Sequence, residues 1–243
     1  MAIERPKTVA EQVNTLLRER IRDNTYAPGQ RLPSESDLAL EFRVSRASIR
    51  TVLAQLAIEG LILRKQGDGT YVNERLPEVN THLGGLWEFT RLIESSGYQV
   101  SIQAISSSTR LASVQEARVL DLDSNSEVIS MDRIFFADNR PVILAQNVLP
   151  LTTLKQPRSA IDGNMPIKAF VKNYCDREIA FAISDIRATL ATKTIVDNLE
   201  LEINSPLLKL KMTFYDRDNI PLLFGTSYLD DTVLNLRLVQ AWG

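Results

Sequence analysis

Leu32 to Leu61 reads LPSESDLALEFRVSRASIRTVLAQLAIEGL. Ser34 stands three residues before Asp37, the spacing of a capping box, and predicts a short helix ending near Phe42. Ser45 supplies a second N-cap almost at once. Ile49, Val52, Leu53 and Leu56 then recur at the spacing of one helical face until Gly60 stops the pattern. With those four turned inward, Arg46 and Arg50, four apart, share the outward side. Two helices joined so closely form a helix-turn-helix, whose second helix enters a major groove. The blander reading is a solvated arginine face, and the segment alone leaves both open.

The flanks narrow the choice. Val9, Val13, Leu16, Leu17 and Ile21 form an apolar stripe on a helix expected from Thr8, its cap, to about Asn24, and Pro28 with Gly29 breaks the chain after it. Downstream, LILRKQGDGTYV, Leu61 to Val72, reads as a strand, a turn at Gly67, Asp68 and Gly69, and a returning strand over Thr70, Tyr71 and Val72. That is a hairpin appended to three helices, a wing. The helix starts at Ser34 and Ser45 offer backbone N–H groups where a phosphate binds favourably, with Arg46 alongside. Gly67 and Gly69 let the wing backbone approach a duplex closely, although a tight hairpin needs glycine in any case.

Pro28 to Val72, PGQRLPSESDLALEFRVSRASIRTVLAQLAIEGLILRKQGDGTYV, resembles the winged helix-turn-helix of the GntR family of bacterial transcription regulators in its LPSE segment, VSR-x-x-x-R, EGL and final G-x-GT. The resemblance implies binding to double-stranded operator DNA, with contacts from Ser34, Glu35, Ser45, Arg46, Arg50 and Gly69. Ser48, Gly67 and Thr70 join them by position, and Arg64 and Lys65 read as phosphate contacts in the wing. Glu35 has a second reading, as an acid favoured at a helix N-terminus; its carboxylate is also able to accept from a cytosine amino group.

Composition agrees. The chain has 243 residues, 44% hydrophobic and 24% charged, enough for a small module and a larger one with buried cores. Its net charge of −2 argues against indiscriminate coating of nucleic acid. Residues 1–75 hold 12 Lys and Arg against 10 Asp and Glu, and the remainder 16 against 20, so DNA contacts belong in the first third. No apolar run approaches the ~18 residues a membrane span needs, and the N-terminus lacks a signal-type apolar core, which points to a cytoplasmic protein without membrane contact. The single cysteine, Cys175, permits no internal disulfide and reads as a small buried hydrophobe. The single histidine, His82, has no metal-site or triad neighbours and reads as an incidental surface residue. No cofactor is expected.

Asn73 to Gly85, NERLPEVNTHLGG, is polar and without periodicity, so the expected division is 1–73 for the winged module, 74–85 for a linker and 86–243 for a second domain. Leu86, Phe89 and Ile93 open that domain as a helix ending at Gly97. Val128 to Ala137, a turn at Asp138 and Asn139, and Pro141 to Pro150 make one hairpin. Lys209 to Arg217, Asp218 and Asn219, and Pro221 to Leu229 repeat its design. Helical segments at Met165 to Tyr174 and Lys193 to Leu199 flank a long strand from Glu178 to Leu190. The fold class is α+β, built on an antiparallel sheet.

This order of elements, closed by a final strand, resembles the UTRA effector domain of HutC-type GntR regulators, with its chorismate-lyase-like sheet. The residues carrying it are Arg133 to Pro141, Val196 to Leu208, and Ser227 to Asp231. The likeness implies a homodimer reading an inverted repeat and a pocket for a small metabolite, such as an organic acid or a sugar derivative. Where sugar-phosphate binders of the family often carry R-x-R, this chain has Arg133, Ile134 and Phe135, so one guanidinium is offered. Arg133 reads either as an anion ligand or as a surface ion pair with Asp132 or Asp185. The apolar Leu223 and Phe224 favour an effector less polar than a phosphorylated sugar. Phe135, Tyr174, Arg187, Ser227 and Tyr228 are further effector candidates, each with an ordinary structural reading. An enzyme would need a nucleophile and base, a phosphate loop or paired acids, and the chain shows none of these. Other GntR branches, with a histidine-bound metal or a long aminotransferase-like domain, fit neither one histidine nor this length.

Overall fold

The computed structural model describes residues 8–75, 88–157, 160–234 and 236. They form two compact units, 8–75 and 88–234, each considered alone. His82, Pro77, Leu86 and most of the expected linker lie outside the described residues; residues 230–234, which follow Leu229, form turns and not the expected final strand.

The first unit holds α1 (Val9–Arg22), α2 (Glu35–Phe42) and α3 (Arg46–Ile58), followed by β1 (Ile62–Lys65) and β2 (Gly69–Val72). Thr8 and Ser34 close complete capping boxes with Glu11 and Asp37, and Ser45 caps α3 through the Ser48 backbone N–H. Each cap satisfies an otherwise orphaned donor and is worth roughly 1 kcal/mol. Between α2 and α3, Arg43 takes a left-handed conformation with φ 54°, which turns the chain within three residues. The core joins Val13, Leu17 and Ile21 of α1 to Leu38, Ile49, Val52, Leu53 and Leu56, with Leu61, Ile62 and Val72 closing the wing on it. Val9 and Leu16, expected in the stripe of α1, are 54% and 44% exposed. The buried set is Val13, Leu17 and Ile21, at i, i+4 and i+8, with Ala10 packed beside it; Val9 starts the helix and Leu16 sits off that line.

The second unit holds α4 (Phe89–Ser95), β3 (Val100–Leu111), α5 (Val114–Val119), β4 (Glu127–Ala137), β5 (Arg140–Pro150), α6 (Ile167–Cys175), β6 (Phe181–Leu190), α7 (Lys193–Leu199), β7 (Pro206–Tyr215) and β8 (Pro221–Leu229). All pairings are antiparallel, in the order β3-β4-β5-β8-β7-β6. Both expected hairpins form, with Asp138 at φ 56° and Asn219 at φ 62° making the turns. Their registers slip at equivalent places, between Phe135 and Phe136 and between Phe214 and Tyr215. Helix α5 was not expected. It is one and a half turns long, too short for periodicity, though its capping box of Ser113 and Glu116 was readable.

Register sorts the sheet into two faces, since residues directly opposite one another point the same way. Arg133, Ala145, Ser227, Leu210 and Ile186 form one cross-strand row; Met131, Asn147, Gly225, Met212 and Ser184 form the next row on that face. The ring of Phe89 on α4 meets Phe135 of that face edge-on, centroids 5.4 Å apart. On the reverse face Ile195 and Leu199 of α7 bury against Leu207, with Leu144 and Tyr228 packed around them.

Candidate functional site

Helix α3 presents Arg46 and Arg50 to solvent while Ile49, Val52, Leu53 and Leu56 are buried, as the spacing required. Arg46, the first residue of the helix, has no hydrogen bond or ion pair among the described residues. Arg50 is held differently. Its Nε donates to Glu35 Oε2 at 3.3 Å, and the other carboxylate oxygen lies 4.0 Å from Arg64 Nη2. The Arg64 Nη2 also donates to the Arg50 carbonyl at 3.3 Å. Thus the start of α2, the middle of α3 and the first wing strand converge on the single carboxylate of Glu35. Solvent-exposed pairs of this kind contribute between 0 and ~1 kcal/mol, so their consequence is orientation more than stability.

Ser34 Oγ accepts from the Asp37 backbone N–H at 3.2 Å and donates to its carboxylate at 2.6 Å. Ser45 Oγ accepts from the Ser48 N–H at 3.1 Å and shares a hydrogen bond with Ser48 Oγ at 2.8 Å. The remaining first-turn N–H groups of α2 and α3 point out of their helix ends, where the dipole favours an anion. At the wing, Asp68 N donates to Lys65 O at 3.1 Å around a turn whose Gly67 has φ 77°. Gly69 has φ 147°, and a Cβ there would stand 2.7 Å from Arg31 Nε. Arg31 Nη2 donates to the Asp68 carbonyl, and Lys65 Nζ sits 4.5 Å from the Tyr71 ring centre. The Thr70 carbonyl accepts from Leu32 N, so the wing is tied to the strap before α2. Arg31 was missed as a candidate; its bridge to Tyr71 across the wing is a tertiary contact with no local signature.

In the second unit Arg133 is 2% exposed, which removes the surface ion-pair reading. Asp132 instead accepts from Ser106 and Gln146 on the reverse face. Arg133 Nη1 donates to the Met165 carbonyl at 2.7 Å and Nη2 donates to Asn147 Oδ1, while Nε has no hydrogen-bond partner. Burial holds its pKa down to about 10. With Phe135, Phe89, Ile167, Met212 and Phe214 it lines a narrow cavity of about 20 Å³. Of these the sequence reading had named only Arg133 and Phe135. Asn147 was legible as the polar interruption in PVILAQNVLP. The others come together only through sheet register.

The remaining effector candidates do not join that cavity. Tyr174 is buried on α6, where its hydroxyl accepts from the Asp162 N–H at 2.9 Å. Tyr228 is on the reverse face, with Lys209 Nζ 5.2 Å from its ring. Arg187 lies on the edge strand β6, on that same reverse face. Ser227 shares the Arg133 face, fully buried, with an Oγ that makes no hydrogen bond. Cys175 is buried, and burial raises its thiol pKa. Among the described residues no helix is long and apolar enough to cross a membrane.

A solvent-facing arginine helix with a glycine-turned wing, followed by a six-stranded sheet enclosing a small cavity, defines a DNA-binding regulator with a ligand-binding second domain. Residues 9–72 match the gntR family of bacterial regulatory proteins and residues 95–232 match the UTRA domain, so the chain belongs to the UTRA-bearing, HutC-type branch of GntR transcription regulators and is not an enzyme. It is 25% identical over 210 residues to the HTH-type transcriptional repressor NagR of Bacillus subtilis, covering 86% of this chain and 85% of that one. It is 30% identical over 139 residues to the histidine utilization repressor of Pseudomonas putida, covering 57% and 55%. The crystal structure of YydK from Bacillus subtilis superposes with a TM-score of 0.71 at 16% identity, covering 97% of this chain and 100% of that one, and speaks for the fold.

Proposed function

We propose that the protein is a cytoplasmic, homodimeric repressor whose two winged modules read the half-sites of an inverted repeat. Arg46 and Arg50 reach base edges in the major groove, with Glu35 aligning Arg50. Ser34, Ser45 and Ser48 at the helix starts bind phosphates, as do Arg64, Lys65 and the wing backbone at Gly67, Gly69 and Thr70. The observation that carries this reading is the solvent-facing Arg46–Arg50 pair, with Arg50 held by the start of α2 and by the wing. The division into 1–73, a linker 74–85 and 86–243 belongs to the same proposal.

The effector is a small molecule with one anionic group on an apolar body, an organic acid or a lightly oxidised sugar derivative. Arg133 supplies the single buried cation, and the aromatic and aliphatic wall of Phe89, Phe135, Met212 and Phe214 covers the rest. Glu88 also borders this cavity, but its carboxylate is occupied by Arg91 at 3.1 Å and Lys168 at 3.8 Å. Occupancy alters operator affinity through differential binding to two conformations, and a coupling of ~1–3 kcal/mol gives about a 5–150-fold change. The test is selection of an operator from a random duplex pool, then anisotropy titration with and without a panel of carboxylates and sugar phosphates. An inverted-repeat consensus and a response confined to singly anionic ligands support the reading. A consensus without dyad symmetry sinks the DNA half, and a response only to phosphorylated sugars sinks the effector half.

A further inference from the structure

The face of the sheet turned away from Arg133 carries a recess of its own, floored by β6 and β7. Towards one end of the strands the α5 segment packs through Val119 and Leu120 on Val128, Val148 and Phe224. Towards the other end Ile195 and Leu199 of α7 meet Leu207, Leu144 and Tyr228. Apolar side chains thus fill both ends, and the middle is left to polar ones. Register sets Asp185 opposite Lys211, with Thr226 beyond, and Arg187 opposite Lys209, with Tyr228 beyond. Gln115 of α5 joins Asp185, Arg187, Lys209 and Lys211 around a cavity of about 310 Å³, at the lower end of the range for small-molecule sites.

The charges in this recess do not balance. Three cations and one carboxylate line it, an excess of two positive charges. None of the four side chains makes a hydrogen bond or an ion pair among the described residues; Lys209 instead holds its Nζ 5.2 Å from the Tyr228 ring centre. Arg187 and Lys209 are like charges directly opposite on adjacent strands, an arrangement that destabilises a sheet. Lys209 and Lys211 are half-buried, so solvent screens them less than it screens a fully exposed pair. The fold therefore keeps a repulsion that a bound anion would remove.

The size of the excess selects the anion. A single carboxylate leaves the recess positive. A phosphate monoester, with a charge of about −1.5 to −2 near neutral pH and three acceptor oxygens, matches both the excess and the number of cationic donors. The Arg133 recess is its opposite, with about 20 Å³, one buried guanidinium and apolar walls.

We propose that this recess is a second ligand site, for a small phosphate monoester whose dianionic head lies among Arg187, Lys209 and Lys211, with Gln115 at the rim. It faces away from Arg133 and does not rest on the effector reading given to that cavity.

The test is calorimetric titration of the full chain at fixed ionic strength with glycerol 3-phosphate, beside glycerol and the monoanion dimethyl phosphate. Binding is read directly and not through operator affinity, so it is judged apart from effector control. The monoester should bind saturably and both controls much more weakly. Lys209→Gln and Arg187→Gln should each weaken binding about ten-fold, and Asp185→Asn, which removes the opposing charge, should strengthen it about three-fold. Thermal melts without the probe should run the other way: Lys209→Gln melts above the parent because the like-charge pair is gone, and Asp185→Asn melts below it. Arg133→Met should leave the titration unchanged. Absence of saturable binding, dimethyl phosphate binding as tightly as the monoester, or an affinity unmoved by Lys209→Gln and Arg187→Gln overturns the site. Binding lost in Arg133→Met alone places the anion on the other face and overturns it as well.

Discussion

Replacing Arg50 with alanine removes a guanidinium that points into solvent from the middle of α3 and touches its own protein mainly through Glu35, at 3.3 Å. The side chain is 68% exposed, so losing that pair costs the fold no more than ~1 kcal/mol. Its role on DNA is of another size. A guanidinium reading a base edge is worth ~1–3 kcal/mol, which at ~1.4 kcal/mol per ten-fold step is about a 5–150-fold loss of operator affinity. The Glu35 carboxylate, left with Arg64 at 4.0 Å as its one cation, then faces the duplex and adds to the loss. The assay is anisotropy against the selected operator and a scrambled duplex at several salt concentrations, beside a thermal melt. Arg50→Ala should lose specific affinity well beyond its loss on scrambled DNA, with a nearly unchanged melt. Equal loss on both duplexes would make Arg50 a phosphate contact, and retained operator affinity would refute the placement of α3 in the groove.

Gly69→Ala places a Cβ 2.7 Å from Arg31 Nε at a φ of 147°, so the wing should distort at a cost of ~1–3 kcal/mol and operator affinity should fall, while Gly67→Ala, with open space around it, should cost less; equal effects in anisotropy and melting would contradict this. Arg133→Met should abolish the thermal shift produced by an anionic effector and leave operator binding intact, because the recess then offers no cation; a retained shift removes Arg133 from the effector site. Glu116 accepts from both terminal nitrogens of Arg110 at 2.7 Å, and that pairing, with the Ser113 cap, holds its pKa down to about 2. A depressed carboxyl contributes stability that is complete above its unfolded value and is lost as pH falls through the folded one. Acid titration of stability should therefore show a loss between about pH 4.5 and 2, worth ~1 kcal/mol once solvent screening of the half-exposed Arg110 is allowed for, that Glu116→Gln flattens.

The first unit was legible because its signals are local. Caps at Thr8, Ser34 and Ser45, the inward stripe of α3 and the glycine turn each lie within a few residues of what they specify. The two hairpins were legible for the same reason, with Asp/Asn turns between apolar runs. The cavity beside Arg133 was not, because it is made by register. Arg133, Asn147 and Met212 come from strands β4, β5 and β7, and no spacing along the chain predicts that rows separated by up to 79 residues share a face. Burial of Arg133 was equally hidden, since an arginine between Asp132 and Ile134 reads the same on either face until the sheet is assembled. Tyr174, Arg187 and Tyr228 stand apart from the Arg133 cavity, on a helix, an edge strand and the reverse face, placements no local spacing reveals.

The two candidate sites treat arginine oppositely, and this difference suggests where the control energy resides. In the DNA module Arg46, Arg50 and Arg64 remain in water, so carrying them costs the fold little and their attraction to phosphates is screened by salt. Arg133 is dehydrated with two neutral acceptors and no carboxylate, and its pKa of about 10 marks a cationic form destabilised by ~3 kcal/mol relative to water. In the proposed effector site an anion beside the unpartnered Nε would offset that cost where Arg133 stays buried. A ligand shifts an equilibrium by no more than its differential affinity for the two states. In the scheme proposed above, the anion's contact with Arg133 must differ between the two conformations, because that difference is what couples the recess to operator binding.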